Sequence, residues 1–215
     1  MTFLRQSLGR VAATGAATLV ALVALLVATI SPTWAWVTTA PSGAPVNFVG
    51  TGIAFVHGLT LQTTSCATFD RAGTVSVPAG TNAAYGASVA NLTTSTIPGC
   101  TNPVAGPCTV TPSTAWGFAL TAAPTGAVWP AQFTNVELVV SCTGCVYTLE
   151  GVIDGTFDRD SGSATYQRFT PMSASPGLFV SGSPAPSGPS CAVYDILAGD
   201  DFSVSGYWTN TGTPI

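Results

Sequence analysis

The sequence predicts an all-β protein, a disulfide-bonded antiparallel β-sandwich, with a small β-barrel as the alternative architecture. Apolar and polar residues alternate with a period of two in most segments after residue 47, as in half-buried strands. Turn-forming residues, among the 23 glycines and 16 prolines of the chain, separate these segments, and no segment after residue 35 has the helical period. Sandwich and barrel are both expected because each protects the edges of its strands.

The strongest strand signal lies in residues 133–157, which predict a β-hairpin. The turn is Cys142-Thr143-Gly144-Cys145, with two residues between the strands, one of them glycine. The apolar positions on the two strands follow a period of two: Val136, Leu138, Val140, Tyr147, Leu149 and Ile153.

Other segments predict shorter strands around this hairpin. Residues 97–111 are predicted to be a loop, because they contain three prolines and two glycines. The predicted strands are residues 48–55, 59–65, 74–77, 87–94, 115–121, 164–169, 178–180, 191–197 and 202–209.

Residues 1–35 predict an export signal peptide. Arg5 and Arg10 give a positively charged start, residues 11–30 carry no charge, and small residues precede a cleavage site after Ala35. The alternative is a retained membrane anchor, since twenty uncharged residues can span a bilayer.

The mature chain is predicted to contain an irregular lead-in at 36–47 and one all-β domain at 48–215. A cut after Ala40 is disfavoured because Pro41 would then be the first mature residue. Roughly 180 residues are enough for one domain with a substantial core.

The low charge of the chain limits the kinds of partner. Only 7% of residues are charged, and after cleavage three arginines face nine acidic residues, a net charge of −6. Nucleic acids require a cationic surface, so nucleic-acid binding is excluded, and adhesion to anionic lipid is disfavoured for the same reason.

All six cysteines follow the predicted cleavage site, which predicts three disulfides in an exported chain. Six cysteines allow fifteen pairings, and sequence alone does not choose among them. A direct Cys142–Cys145 bridge, leaving Cys108 for Cys191, ranks second because it closes a very short loop. The same Cys142-x-x-Cys145 spacing occurs in thiol oxidoreductases, but there it begins a helix rather than joining two strands.

His57 is the only histidine, and the sequence offers no nucleophile motif to accompany it. It is interpreted as a polar residue in a turn between strands. No catalytic residue, cofactor or metal ligand is therefore predicted.

Two acidic patterns are interpreted as surface features. Glu150 and Asp154 are about 13 Å apart along one strand, too far for a glycosidase pair within that strand. Asp158-x-Asp160-x-Gly162 has the first spacing of a calcium loop but lacks the remaining EF-hand ligands.

Aromatic residues give the one ligand surface that the sequence suggests. The set comprises Trp116, Trp129, Tyr147, Tyr207 and Trp208. Most aromatics on alternating strands belong to the core, and Trp129 and Trp208 are the two candidates for an exposed sugar-stacking surface.

The order of several motifs resembles a known group of proteins. The motifs are Asn91-Leu92-Thr93, Cys100-Thr101, Ala115-Trp116-Gly117-Phe118, Phe133-Thr134-Asn135, Cys145-x-Tyr147, Gly151-x-x-x-Gly155, Gly199-Asp200 and Phe202-Ser203-Val204-Ser205-Gly206-Tyr207. With the export signal, they resemble the secreted Gly/Thr/Ser-rich proteins of actinobacteria, over nearly the whole mature chain. That group has no assigned activity, so the resemblance implies no functional residues.

The resemblance does bear on the disulfides. Its members carry four of these cysteines, so Cys108 and Cys142 look like an added pair. The preferred set is then Cys66–Cys100, Cys145–Cys191 and Cys108–Cys142.

The sequence thus predicts an extracellular or cell-surface protein with a structural, adhesive or binding role and no enzymatic activity. Its expected partners are a cell-wall glycan or another surface protein. The alternatives are a carbohydrate-binding module and a cell-envelope β-barrel.

Overall fold

The computed structural model describes residues 35–37, 39–172 and 177–215, and residues 35–215 form one compact unit. Every regular element in the described residues is a strand, and every strand pair is antiparallel, so the prediction of a disulfide-bonded, antiparallel all-β fold is confirmed. The predicted signal peptide lies outside the described residues, apart from Ala35. The strands are β1 Ala35–Val37, β2 Pro45–His57, β3 Thr63–Cys66, β4 Asp70–Val75, β5 Asn82–Ala84, β6 Ser88–Thr96, β7 Cys100–Asn102, β8 Gly106–Pro112, β9 Trp116–Leu120, β10 Val128–Cys142, β11 Cys145–Asp158, β12 Arg168–Pro171, β13 Leu178–Val180 and β14 Asp201–Asn210.

The main sheet contains twelve of these strands and closes on itself at two levels. At one level the order of pairing is β2, β4, β6, β9, β10, β11, β12, β14 and back to β2. At the other it is β2, β3, β7, β8, β10, β11, β13, β14 and back to β2. Four long strands, β2, β10, β11 and β14, belong to both levels, so every strand of the main sheet has neighbours on both sides.

The predicted hairpin is present as β10 and β11. Cys142 is opposite Cys145, and the two intervening residues turn with Gly144 at a φ of +75°, where glycine is favoured. The alternation also predicts the burial, because the apolar residues that follow the period of two face the core.

Several segments differ from the prediction, among them residues 59–62 and 164–167, which lie in turns and connections instead of strands. Residues 97–111 include two strands, β7 and β8, because their prolines lie where no ladder hydrogen bond is needed or in the turn between them. Residues 191–197 form turns instead of a strand. The lead-in at 36–47 contains β1, which pairs with β5, and β2 begins at Pro45 instead of residue 48.

Aromatic side chains fill the core at the first of the two levels. Phe133 on β10 is central, with its ring centroid 4.5–5.8 Å from those of five other aromatic side chains. These are Phe48, Trp116, Phe118, Phe169 and Trp208. Their burial is the main source of stability in this half of the domain.

One cation is enclosed in the fold. Arg71 is 1% exposed, donates to the carbonyl oxygens of Leu92 (2.7 Å) and Thr114 (3.1 Å), and lies over the ring of Trp116. Burial lowers its pKa to about 10. This arginine is therefore part of the interior and contributes nothing to surface charge.

The strand directions place four connections at one end of the sheet. They are residues 58–62 between β2 and β3, 103–105 between β7 and β8, 143–144 between β10 and β11, and 181–200 between β13 and β14. We call this the loop end. β1 and the start of β10 lie at the opposite end.

Candidate binding surface at the loop end

Five large aliphatic side chains are exposed on the connections of the loop end. Their exposed fractions range from 57% to 77%: Leu59, Leu61, Val104, Val193 and Leu197. A single exposed aliphatic residue is ordinary, but five at one end of a small domain are typical of a contact surface.

Hydrogen bonds hold these aliphatic residues in position. Asn102 accepts from the backbone N–H groups of Val104 and Ala105, both at 2.9 Å, which fixes the 103–105 turn. The 181–200 segment is attached to the hairpin turn through Tyr194, whose hydroxyl donates to the carbonyl of Thr143 (3.1 Å). The surface is therefore formed in advance of any contact.

Three disulfides support the loop end, and their pairing confirms the preferred set. The bonds are Cys66–Cys100, Cys108–Cys142 and Cys145–Cys191. The third attaches the 181–200 segment to the first residue of β11. Three disulfides indicate an oxidising, extracellular type of environment.

His57 lies at the end of β2, below the loop end, and contacts two of its connections. Its side chain is 1% exposed, and its Nδ1 accepts the backbone N–H of Thr60 (3.1 Å) and lies 2.6 Å from the hydroxyl of the same residue. Because Nδ1 accepts, the neutral ring carries its proton on Nε2, which is 3.2 Å from Asp200 Oδ2 but not aligned for a hydrogen bond. Asp200 in turn accepts the N–H of Leu197 at 2.6 Å.

Thr60, His57 and Asp200 are the residue types of a hydrolase triad, but their arrangement is that of a turn support. The nitrogen beside the hydroxyl already accepts the backbone N–H of the same threonine, so its lone pair is engaged. The cavity next to the ring, lined by Tyr147, Phe202 and neighbours, has room for about one water molecule. His57 is thus the predicted polar residue at a turn, with an acidic neighbour that sequence reasoning did not identify.

We expect His57→Ala to lower the free energy of unfolding by about 1–3 kcal/mol, because the partly buried N–H of Thr60 loses its acceptor. Thr60→Val keeps that N–H bond to the ring, and we expect it to cost less than about 1 kcal/mol. Urea unfolding of the two variants tests this. Equal stability of wild type and His57→Ala would contradict it.

Tyr147 makes the base of the loop end sensitive to high pH. Burial raises the pKa of this phenol to about 12, with a smaller opposing effect from its hydrogen bond to Thr64. In the unfolded chain a tyrosine has a pKa of about 10, so between these values only the unfolded state releases the proton. The free energy of unfolding therefore falls as the pH rises from 10 to about 12.

Tyr147→Phe should remove this loss, which amounts to about 2–3 kcal/mol at the upper limit. Arg71 has the opposite effect on the pH dependence of stability, because its lowered pKa makes the folded state release this proton before the unfolded state does. Wild type and Tyr147→Phe both contain Arg71, so its effect cancels in the comparison. Urea unfolding of wild type and variant across this pH range isolates the tyrosine. Parallel curves for the two proteins would show that the phenol is not responsible.

The charges at the loop end are all negative. Asp195 and Asp201 are exposed there, and Asp200 is partly exposed. The two other arginines of the described residues lie towards the opposite end: Arg159 contacts the rings of Trp36 and Trp129 (5.2 Å each), and Arg168 lies over Tyr207. The exposed side chains on the connections of the loop end are therefore aliphatic and acidic in character.

The predicted sugar-stacking pair is not formed. Trp208 is fully buried and its indole N–H donates to the carbonyl of Phe69 (2.9 Å), so its assignment to a ligand surface was wrong. Trp208 has the same parity as Phe202 and Val204 in β14, so the period of two that buries these residues also turns Trp208 inward. Trp129 is partly buried against Trp36, with ring centroids 6.2 Å apart.

The acidic turn at residues 158–162 uses its carboxylates internally. Asp158 accepts the N–H of Asp160 (2.8 Å) and the hydroxyl of Thr165, and Asp160 accepts the N–H of Gly162 (2.9 Å). The hydrogen bond from Thr165 is the main reason that the pKa of Asp158 is lowered. The described residues contain no group of three His, Cys, Asp or Glu side chains arranged to hold a metal ion.

Comparisons with protein-family models, curated proteins and solved structures find no match for this chain. Within the part of the chain that the structure describes, no helix has the length and apolar character needed to cross a membrane. The candidate site therefore depends on the geometry of the loop end alone.

Proposed function

We propose that this chain is a secreted or cell-surface protein without enzymatic activity that binds another protein through its loop end. The observation that carries the proposal is the group of five exposed aliphatic side chains on connections held by hydrogen bonds and, at Cys191, by a disulfide. At roughly 100 Å² each they supply about 500 Å² of apolar surface, more than half of one side of a standard interface.

Charge indicates the kind of protein that fits. Asp195 and Asp201 border the aliphatic residues, so a complementary surface has an apolar recess with lysine or arginine at its edge. A second copy of this chain would bring like charges together, and an anionic bilayer would repel them. The partner that fits is therefore a different protein with a basic rim.

A cell-wall glycan is less well supported. Sugar binding favours exposed aromatic faces, whereas Trp208 belongs to the core and Trp129 packs against Trp36 and Arg159. The exposed residues of the loop end are aliphatic instead.

The probe for this proposal is a random peptide library displayed on phage and selected on the disulfide-intact protein. We expect enrichment of peptides that combine aliphatic or aromatic residues with lysine or arginine. The affinity of these peptides should fall at least tenfold for a variant with Leu59→Ser, Leu61→Ser and Leu197→Ser. The reason is that the three substitutions remove at least about 1.4 kcal/mol of binding free energy from apolar contacts. Binding should also weaken as salt is raised.

The matched control changes exposed apolar residues at the opposite end, Val37→Ser and Val128→Ser, and should leave peptide binding unchanged. Enriched peptides that bind the triple variant as well as wild type would refute the proposal. Binding to neutral or anionic phospholipid vesicles that requires the same leucines would replace the protein partner by a lipid surface.

Export and cleavage after Ala35 are part of the proposal. Trp36 is 3% exposed and packs against Trp129 and Arg159, so a cut after Ala35 retains a side chain that the domain encloses. A cut after Ala40 would remove β1 with it. N-terminal sequencing of protein from the medium should give Trp36 as the first residue, and Pro41 would contradict this.

A further inference from the structure

Five of the six cysteines form a row across neighbouring strands. In the strand register Cys66 is opposite Cys100, Cys100 is opposite Cys108, Cys108 is opposite Cys142, and Cys142 is opposite Cys145. Directly opposed residues of antiparallel strands project to the same face, so all five side chains point the same way. We call these residues the cysteine row; it crosses β3, β7, β8, β10 and β11, a span of about 19 Å at the usual strand spacing.

Bonded and unbonded neighbours alternate along the row. Cys66–Cys100 and Cys108–Cys142 are joined, each with a Cα separation of 4.1 Å, which corresponds to pairs that do not exchange backbone hydrogen bonds. Cys100–Cys108 and Cys142–Cys145 are then the hydrogen-bonded pairs, with Cα atoms about 5.5 Å apart. That separation is also within the range that a disulfide spans.

The last bond leaves the row. Cys145 is joined to Cys191, which lies among turns of the 181–200 segment and not in a strand. This is the only one of the three bonds with a partner outside the sheet. All six cysteines are buried, with exposed fractions of 1–8%, and Cys191 is the one that movement of a connecting segment alone would uncover.

We propose that the cysteine row is a thiol–disulfide relay, which transfers a free thiol across the sheet from Cys145 to Cys66. A two-electron reductant of the dithiol class first reduces Cys145–Cys191 and is itself oxidised to a disulfide. The Cys145 thiolate then attacks the sulfur of Cys142, forming Cys142–Cys145 and releasing the Cys108 thiolate. That thiolate attacks Cys100, forming Cys100–Cys108 and releasing Cys66.

The exchange steps are balanced and need no further reductant. Each one makes one S–S bond and breaks one, and the departing thiolate takes up the proton that the attacking thiol lost. Two disulfides and two thiols, at Cys66 and Cys191, remain at the end.

The register supplies the geometry that exchange requires. Attack on a disulfide sulfur proceeds from the side opposite the leaving sulfur. Cys145, Cys142 and Cys108 follow one another on three consecutive strands, and so do Cys108, Cys100 and Cys66. The attacking residue is thus on the side opposite the leaving residue in both steps, and no strand has to change register.

The test uses the full processed protein with Cys191→Ser, which leaves one thiol per molecule. After incubation at about pH 8, where a thiolate is available, the sample is quenched with acid, denatured, alkylated and mapped by mass spectrometry. We expect the label on Cys66 or Cys108 in at least about one molecule in ten, which corresponds to an exchange equilibrium constant of ~0.1. Adding Cys108→Ala and Cys142→Ala should confine the label to Cys145.

Wild-type protein provides a second measurement that does not depend on the folding of the variant. A phosphine at about pH 3 reduces disulfides while exchange is suppressed, so molecules with one opened bond should be labelled at Cys145 and Cys191. When the reductant is removed and the pH is raised to about 8 before labelling, Cys191 should still be labelled, and the second label should be on Cys66 or Cys108 in at least about one molecule in ten.

Two outcomes overturn the relay. A thiol that stays on Cys145 in both experiments shows that the bonds are purely structural. Pairs that are not neighbours in the row, such as Cys66–Cys191, show exchange through unfolded chains instead of through the sheet.

Discussion

Replacing Cys145 and Cys191 together with alanine is expected to lower the free energy of unfolding by about 2–4 kcal/mol. The bond closes a loop between residues 46 positions apart, and a bond of this span restricts the unfolded chain substantially. It is also the covalent attachment of the 181–200 segment, which otherwise depends on backbone bonds such as Ser190 N–H to Gly144 O (3.0 Å). The segment carries Val193 and Leu197, so the variant should also bind the peptides selected on the wild-type protein less well.

Two measurements separate these effects. Urea unfolding gives the stability, and hydrogen exchange should become faster in residues 181–200 while the aromatic core stays protected. Cys66→Ala with Cys100→Ala is the matched control: the bond spans 34 positions, so the loss of stability should be similar, but 181–200 keeps its attachment. If both double variants changed exchange in 181–200 equally, the specific role of Cys145–Cys191 would be disproved.

The elements that sequence alone predicted are those whose signals are local. The β10–β11 hairpin follows from alternation on both sides of one short turn, and the structure has that turn at the same four residues. The 97–111 segment was predicted incorrectly because prolines were taken as breaks. Pro107 lies within β8 and Pro112 ends it, in positions that a strand tolerates.

The parts that could not be predicted depend on contacts between distant residues. Nothing near His57 in the sequence indicates Asp200, which reaches it only because β14 pairs with β2. The grouping of Leu59, Val104 and Val193 likewise cannot be read from the sequence. It follows from the strand directions, which place their three connections at one end of the sheet. Trp208, by contrast, could have been assigned to the core from sequence, because the alternation that buries Phe202 and Val204 continues through β14 and places Trp208 on the same side.

The cysteine row also explains why sequence left the disulfides open. Cys142 has two neighbours within bonding reach, Cys108 and Cys145, and their separations along the chain do not decide between them. The pair with the shorter Cα separation, Cys108–Cys142 at 4.1 Å, is the one that is joined. Pairing across strands, which spacing does not encode, therefore selects the connectivity.

Phe133→Ala is expected to have the largest effect on stability, a loss of about 3–5 kcal/mol in the free energy of unfolding. The side chain is fully buried, and its ring contacts those of Phe48, Phe169 and Trp208, which are all held in the closed sheet. Such surroundings cannot collapse around the missing ring, so the cavity adds to the lost apolar burial. Phe179→Ala, at a position 42% exposed, should change the stability by less than about 0.5–1 kcal/mol.

Chemical unfolding followed by fluorescence and circular dichroism measures both changes, and comparable losses for the two variants would contradict this account of the core. The contrast with Cys145 and Cys191 is informative, because Phe133 lies in the half of the sheet away from the loop end. At temperatures where it is still folded, Phe133→Ala should bind the selected peptides with wild-type affinity despite its lower stability. The variant that lacks Cys145 and Cys191 should lose both stability and peptide binding, because their bond lies at the loop end. Together the two experiments separate the stability of the core from the binding surface that we propose.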